Sequence, residues 1–175
     1  MNKKLIYWQW AGFIVVCVLG VFFHFLYDIT NQNIIVALFS PVNESVWEHI
    51  KLVFFPMLIF ALIEKKYIEV ESKRFFCVKF IGIISGVFLI PIMFYTINGV
   101  FGNTPDWINI AIFFVVTAIC FFAETKLFKN EYINCDSSVM VLLIAIVVLF
   151  VIWTFDPPHI PIFEDPVTKT YGIDK

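Results

Sequence analysis

The chain has 175 residues, of which 61% are apolar and only 15% charged; an ordinary soluble domain has about 45–50% and about 25%. Twenty-two Phe, a net charge of −2 and a mean hydropathy of +0.89 exclude a disordered chain, a nucleic-acid binder with a basic face and a secreted disulfide scaffold. What remains is a small, all-α integral membrane protein.

A bilayer core of roughly 30 Å takes about 20 apolar helical residues. Five runs approach that length: 5–27, 46–63, 75–97, 107–123 and 139–155. They predict a five-helix transmembrane bundle over residues 1–155, followed by a tail over 156–175. The first run follows Lys3 and Lys4, is too long for a signal peptide and has no small-residue cleavage site after it, so it reads as an uncleaved signal anchor. The last three runs contain no acidic residue, and Lys79 lies close enough to the start of its run to snorkel. If the helices alternate, Lys3, Lys4, Lys65, Lys66, Lys73, Arg74, Lys79, Lys126 and Lys129 share one side with six carboxylates, a balance of +3. The other side has three cations against eight carboxylates, or −5. The cation bias makes the N-terminus cytoplasmic and the C-terminus extracytoplasmic. Trp8 and Trp10 then lie near the inner boundary, and Trp47, Trp107 and Trp153 near the outer one. Cys17, Cys77, Cys120 and Cys135 all fall within the membrane or on its cytoplasmic side, which implies no disulfide. An odd number of spans without an internal repeat argues against an inverted-repeat transporter.

Polar chemistry collects at the outer ends of the helices. His24 and Asp28 are four residues apart and share a helix face. In Ser40-Pro41-Val42-Asn43-Glu44-Ser45-Val46-Trp47-Glu48-His49, either Ser40 or Asn43 can cap the second helix, placing Glu44 in or near its first turn. Glu48, His49 and Lys51 then lie inside an apolar run, with Ser45 one turn below His49. They read either as a functional face or as a Glu48–Lys51 ion pair with His49 as a packing hydrogen-bonder. After the last run, Asp156-Pro157-Pro158-His159-Ile160-Pro161-Ile162-Phe163-Glu164-Asp165-Pro166 cannot continue a helix. Its apolar Ile160, Ile162 and Phe163 suggest a strap folded back over the outer mouth of the bundle, carrying His159 to the other two histidines.

Three His with nearby carboxylates have the composition of an open zinc site, with three protein ligands and water in the fourth position. His24, His49 and His159 are the candidate ligands; Glu48, Asp28 and Ser45 the candidate catalytic groups; Asn43, Glu44, Lys51 and Asp156 the candidate supports.

The two motifs, 43–49 and 156–166, together with Tyr171-Gly172-Ile173, resemble an uncharacterised family of small bacterial membrane proteins of unknown function. The resemblance covers nearly the whole chain and implies a multi-pass protein of the bacterial plasma membrane. A looser likeness of site composition is to the membrane hydrolases of the alkaline ceramidase and adiponectin-receptor superfamily. Those proteins use three His, an Asp and a Ser around zinc, but they have seven spans and paired histidines four apart on a late helix. The expectation is a metal-dependent hydrolase acting on a lipid or lipid-linked substrate at the outer leaflet. Its rival is a non-enzymatic accessory subunit or small-molecule binder in which the polar groups only lock helices together.

Overall fold

The computed structural model describes residues 3–102, 104–136 and 138–173; Asp174 and Lys175 of the expected tail lie outside them. Five helices follow in chain order: α1 (Lys3–Ile29), α2 (Val46–Glu64), α3 (Ser72–Phe101), α4 (Asp106–Leu127) and α5 (Ser138–Phe155), with a 3-10 turn at Val36–Leu38. Among the described residues, extended pairing is confined to one antiparallel bridge, Glu164 to Tyr171. All five helices are long and apolar enough to cross a membrane. Several extend past the apolar runs, because helical hydrogen bonding continues until a terminator is met. In α3 the terminator is Gly102, at φ +79.

α1 and α3 each pack against both α2 and α4, whereas α5 lies outside this group on α3 and the 3-10 turn. Residues 50–57 of α2 are buried without interruption, as expected of a helix surrounded by others. In α5 the buried positions are Val139, Leu143, Phe150 and Thr154, a single stripe. Phe150 carries that stripe into the core, against Trp47, Phe54 and Phe55. α1 approaches α2 closely at Gly20, where a Cβ would stand 2.9 Å from the Leu52 carbonyl. Pro56 lacks the N–H that would otherwise bond that carbonyl, so small size on one helix and a missing donor on the other meet at one point.

The alternation of helices gives the bundle two ends. The near end holds the start of α1, the α2–α3 turn and the α4–α5 connection; the far end holds the α1–α2 and α3–α4 connections and the segment after α5. Two expectations fail at the near end. Cys77 and Cys135 form a disulfide with Cα atoms 5.2 Å apart, because the α4–α5 connection folds back over the start of α3. Lys79 does not snorkel. It is 2% exposed and pairs with Glu64 and Glu124.

Candidate functional site

Helix α2 is capped by Ser45, two residues after Asn43 and five after Ser40, the two expected caps. The Asn43 side chain accepts the Ser45 N–H at 2.9 Å and donates to the Gly172 carbonyl at 2.9 Å, so it closes a turn. Ser45 becomes the cap: its backbone is extended and its Oγ accepts the Glu48 N–H at 3.3 Å. That start places His49 in the first turns of α2, where Nδ1 lies 2.9 Å from the Ser45 carbonyl. A carbonyl can only accept, so Nδ1 carries the proton and Nε2 is left as the ligating or accepting nitrogen. His49 Nε2 stands 3.4 Å from Glu44 Oε2, and its ring centroid is 5.3 Å from that of His24 on α1. His24 Nδ1 is buried and has no hydrogen-bond partner.

One ligand atom each from His24, Glu44 and His49 lie within 4.8 Å of one another. Donors bound at about 2.0–2.1 Å to a tetrahedral zinc stand roughly 3.4 Å apart, so the His49–Glu44 pair already has that spacing. The three border a cavity of about 700 Å³ at the far end. Its walls are mostly apolar, including Val21, Phe25, Leu52, Ile90, Phe94 and Phe113, while its polar groups include Asn98, Thr104, Asn109 and Lys169. Asn109 Oδ1 is a second buried acceptor without a partner. The volume and the contrast between apolar walls and a few convergent polar groups are those of a small-molecule site.

Other residues expected at this site are engaged elsewhere. Ser45 Oγ serves the helix cap. Glu48 is 1% exposed and does not line the cavity. Its Oε2 is 2.6 Å from Lys51 Nζ and accepts the Val42 N–H at 3.0 Å. Lys51 Nζ also donates to Thr154 Oγ1 at 2.5 Å and to the Ala37 carbonyl at 3.0 Å. The pair therefore ties α2 to α5 and to the α1–α2 connection, and its charges cancel where neither meets water. Asp28 is exposed one turn beyond His24, and Asp156 is exposed at the end of α5.

The segment after α5 is docked, but it delivers different residues from those expected. Phe163 is 4% exposed between Trp47 and Trp153, with ring centroids 4.9 and 5.4 Å away. Ile162 is half-buried and its carbonyl accepts the Trp47 N–H at 2.9 Å, whereas Ile160 is exposed. His159 is also exposed; it stacks on Tyr171 at 4.5 Å and is absent from both the cavity wall and the donor cluster. Residues 159–163 are not extended but fold into a turn, closed by the Phe163 N–H on the Ile160 carbonyl at 3.0 Å, and that turn points Phe163 inward and leaves His159 outside. In place of His159, the strap brings Pro166, Val167 and Lys169 to the cavity. The loop carrying them is built on Asp165. Its Oδ1 accepts the Val167 and Thr168 N–H groups and its Oδ2 accepts the Glu44 N–H at 3.1 Å. Burial opposes ionisation of this carboxyl, but those N–H donors outweigh it and hold the group below the usual aspartate range. Lys169, at φ +63, closes the loop and pairs with Glu164 at 3.2 Å.

A second polar cluster, at the near end, joins Gln9, Glu64, Lys79 and Glu124. Each of these lies towards the end of an apolar run, where sequence reasoning assigns polar groups to the interface. A carboxylate at the close of two different runs and one lysine inside a third were the available signal.

These features define an all-helical protein of the membrane type, with five potential spans and an amphipathic cavity at one end. The chain belongs to the family of unknown function DUF6512, whose profile matches residues 1–173. No curated protein and no solved structure matches the chain.

Proposed function

We propose that the far end is a metal-dependent site for an amphiphile of the lipid or lipid-linked class, with His24, Glu44 and His49 as ligands of one divalent ion, most suitably zinc. The observation that carries this reading is the convergence of three donor atoms within 4.8 Å at the wall of an otherwise apolar cavity. Two imidazoles and one carboxylate are a donor set used by catalytic zinc, with a fourth position left for water. The ligand's hydrocarbon would lie against Phe25, Ile90, Phe94 and Phe113, with its polar group at the ion and Lys169. A bound ion would lower the pKa of water and polarise a carbonyl or phosphoryl oxygen, which is hydrolytic chemistry. Asp28, exposed one turn beyond His24 and not itself in the cavity wall, is the remaining carboxylate for the role of base. Glu48, Ser45, Asn43 and Lys51 support the site by holding the start of α2.

The protein is read as multi-pass in a bacterial plasma membrane, N-terminus in the cytoplasm, with the cavity at the outer leaflet. The cation distribution supports that orientation. Binding without turnover is the second reading, favoured by the engagement of both Ser45 and Glu48 in fixed structure.

Elemental analysis and titration with zinc or cobalt test the site directly. About one ion per chain is expected, lost in His49→Ala and Glu44→Gln and kept in His159→Ala. No binding by the wild type on titration would end the metal reading. Mass spectrometry of lipid retained by the metal-loaded protein, followed over time, separates turnover from binding alone.

A further inference from the structure

The near-end cluster has an unbalanced charge. Lys79 Nζ stands 2.5 Å from Glu64 Oε2 and 2.5 Å from Glu124 Oε2, and none of the three side chains is more than 2% exposed. Gln9, 3% exposed on α1, donates from Nε2 to Glu64 Oε1 at 2.8 Å. Helices α1 to α4 thus each contribute one polar side chain to a point walled by the rings of Phe60, Phe75, Phe121 and Phe128, whose centroids lie 5.3–5.8 Å from Nζ. With all three groups ionised the triad carries one uncompensated negative charge.

Neighbouring cations are turned elsewhere. Lys65 Nζ donates to the Val70 carbonyl at 2.7 Å and lies over Phe75, and the Arg74 guanidinium donates to the Phe128 carbonyl. Lys126 lies over Phe122. On α4, Cys120 is a buried free cysteine one turn before Glu124. Three buried acceptors in the cluster have no hydrogen-bond partner: Glu124 Oε1, Gln9 Oε1, and Glu64 Oε2, which meets Lys79 only as an ion pair. Space at the carboxylates is tight: a Cβ on Gly82 would stand 2.2 Å from Glu124 Oε1, and although Gln9 and Phe121 border a small apolar cavity beside α1 and α4, none of the three charged residues lines it. A buried charge in a membrane must be neutralised locally. A proton on a carboxylate oxygen supplies that neutralisation without needing any further space.

We propose that the Glu64–Lys79–Glu124 triad is a proton-binding site, in which the two carboxylates share one proton exchangeable with the aqueous phase at the near end. Binding forms one O–H bond on a carboxylate oxygen and takes the cluster from a charge of −1 to neutrality. Glu64 is the last residue of α2, and Lys66 and Tyr67 in the turn after it are exposed, so the exit to water is short. The site is independent of the metal reading at the other end of the bundle.

Infrared difference spectroscopy of the purified protein in lipid nanodiscs between neutral and mildly alkaline pH tests it. Wild type is expected to show the C=O stretch of a protonated carboxyl at neutral pH, moved by transfer to D₂O. Glu124→Gln should remove the band, since Glu64 and Lys79 then balance, and Lys79→Met should enlarge it, since both carboxyls then need protons. Absence of the band in wild type would overturn the proposal without recourse to any variant. A band unaffected by Glu124→Gln and Glu64→Gln would overturn it equally, and a band that D₂O does not move would refute exchange.

Discussion

Replacing Phe163 by Ala tests whether the strap is a docked part of the far end. The ring is 4% exposed and held between two tryptophans. Truncating a buried Phe costs about 3–5 kcal/mol, the lower figure applying where the surroundings can close in, as a strap can. A loss of about 3 kcal/mol raises the population of the undocked strap on the order of 100-fold. Amide hydrogen exchange in nanodiscs reads that population through three N–H groups whose bonds join the strap to the bundle: Trp47 to the Ile162 carbonyl, Ile173 to the Thr154 carbonyl, and Glu44 to the Asp165 carboxylate. In the variant these should exchange about 100-fold faster while the amides of α3, of α4 and of α2 beyond its first turn are unchanged. Metal affinity should fall as well, because Asp165 bonds the backbone of Glu44. Wild-type strap amides exchanging at the rate of a free peptide, or a variant with unaltered protection, would refute the reasoning.

Gly172→Ala should loosen the same strap by about 1–3 kcal/mol, because φ is +63 and the new Cβ would meet the Thr154 carbonyl at 2.7 Å; hydrogen exchange at Ile173 measures it. Lys51→Met leaves Glu48 buried without its cation and should destabilise the bundle by about 3–5 kcal/mol, with Lys51→Met/Glu48→Gln recovering much of the loss in thermal unfolding. The carboxyl of Asp165 is held below its usual range, so its contribution is present above its unfolded value of about 3.9 and is lost as pH falls through the lower folded value. Strap protection should therefore be flat from neutral pH down to about 5 and decline below about 4, whereas Asp165→Asn should be looser at neutral pH and lack the acid-dependent decline.

Long apolar runs made the five helices legible, and an apolar Ile162-Phe163 pair inside a proline-rich segment made a docked strap legible. Which residues each element delivers was not. A regular helix fixes which of its residues share a face, so His24 and His49 could be brought to one end on paper. The strap has no such period. Its facing is set by the Phe163 slot between two tryptophans and by a loop that depends on Lys169 at positive φ, and this exchanged Lys169 for His159. Glu48 and Lys51 were visible as a possible ion pair, but Thr154, more than 100 residues away, was needed to show that they bind α5. The near-end triad was hidden for a related reason. Glu64 and Glu124 close their apolar runs, where a carboxylate ordinarily reaches water, and only the rotation of packed helices turns them inward onto Lys79.

The disulfide and the cations make opposing statements about the near end, and the conflict can be resolved by experiment. Lys65, Lys66, Lys73, Arg74, Lys126 and Lys129 cluster there, which favours the cytoplasm. Cys77 and Cys135 are bonded at the same end, and disulfides persist in oxidising compartments. The cation bias extends over several short connections, whereas a pair of cysteines 5.2 Å apart at Cα can exist as two thiols without rearranging the bundle. The expected outcome is therefore a cytoplasmic near end with Cys77 and Cys135 reduced in growing cells, closing only on exposure to oxidant. Trapping intact cells with a membrane-permeant thiol reagent before lysis should label Cys135, and an impermeant reagent should not. Cys17 and Cys120 are buried and serve as the unlabelled background. If the bond is instead found intact in cells trapped before lysis, and impermeant labelling of Cys135 follows only after an impermeant reductant, the near end faces outward. The histidine site and its cavity would then open to the cytoplasm, and an outer-leaflet substrate would be excluded.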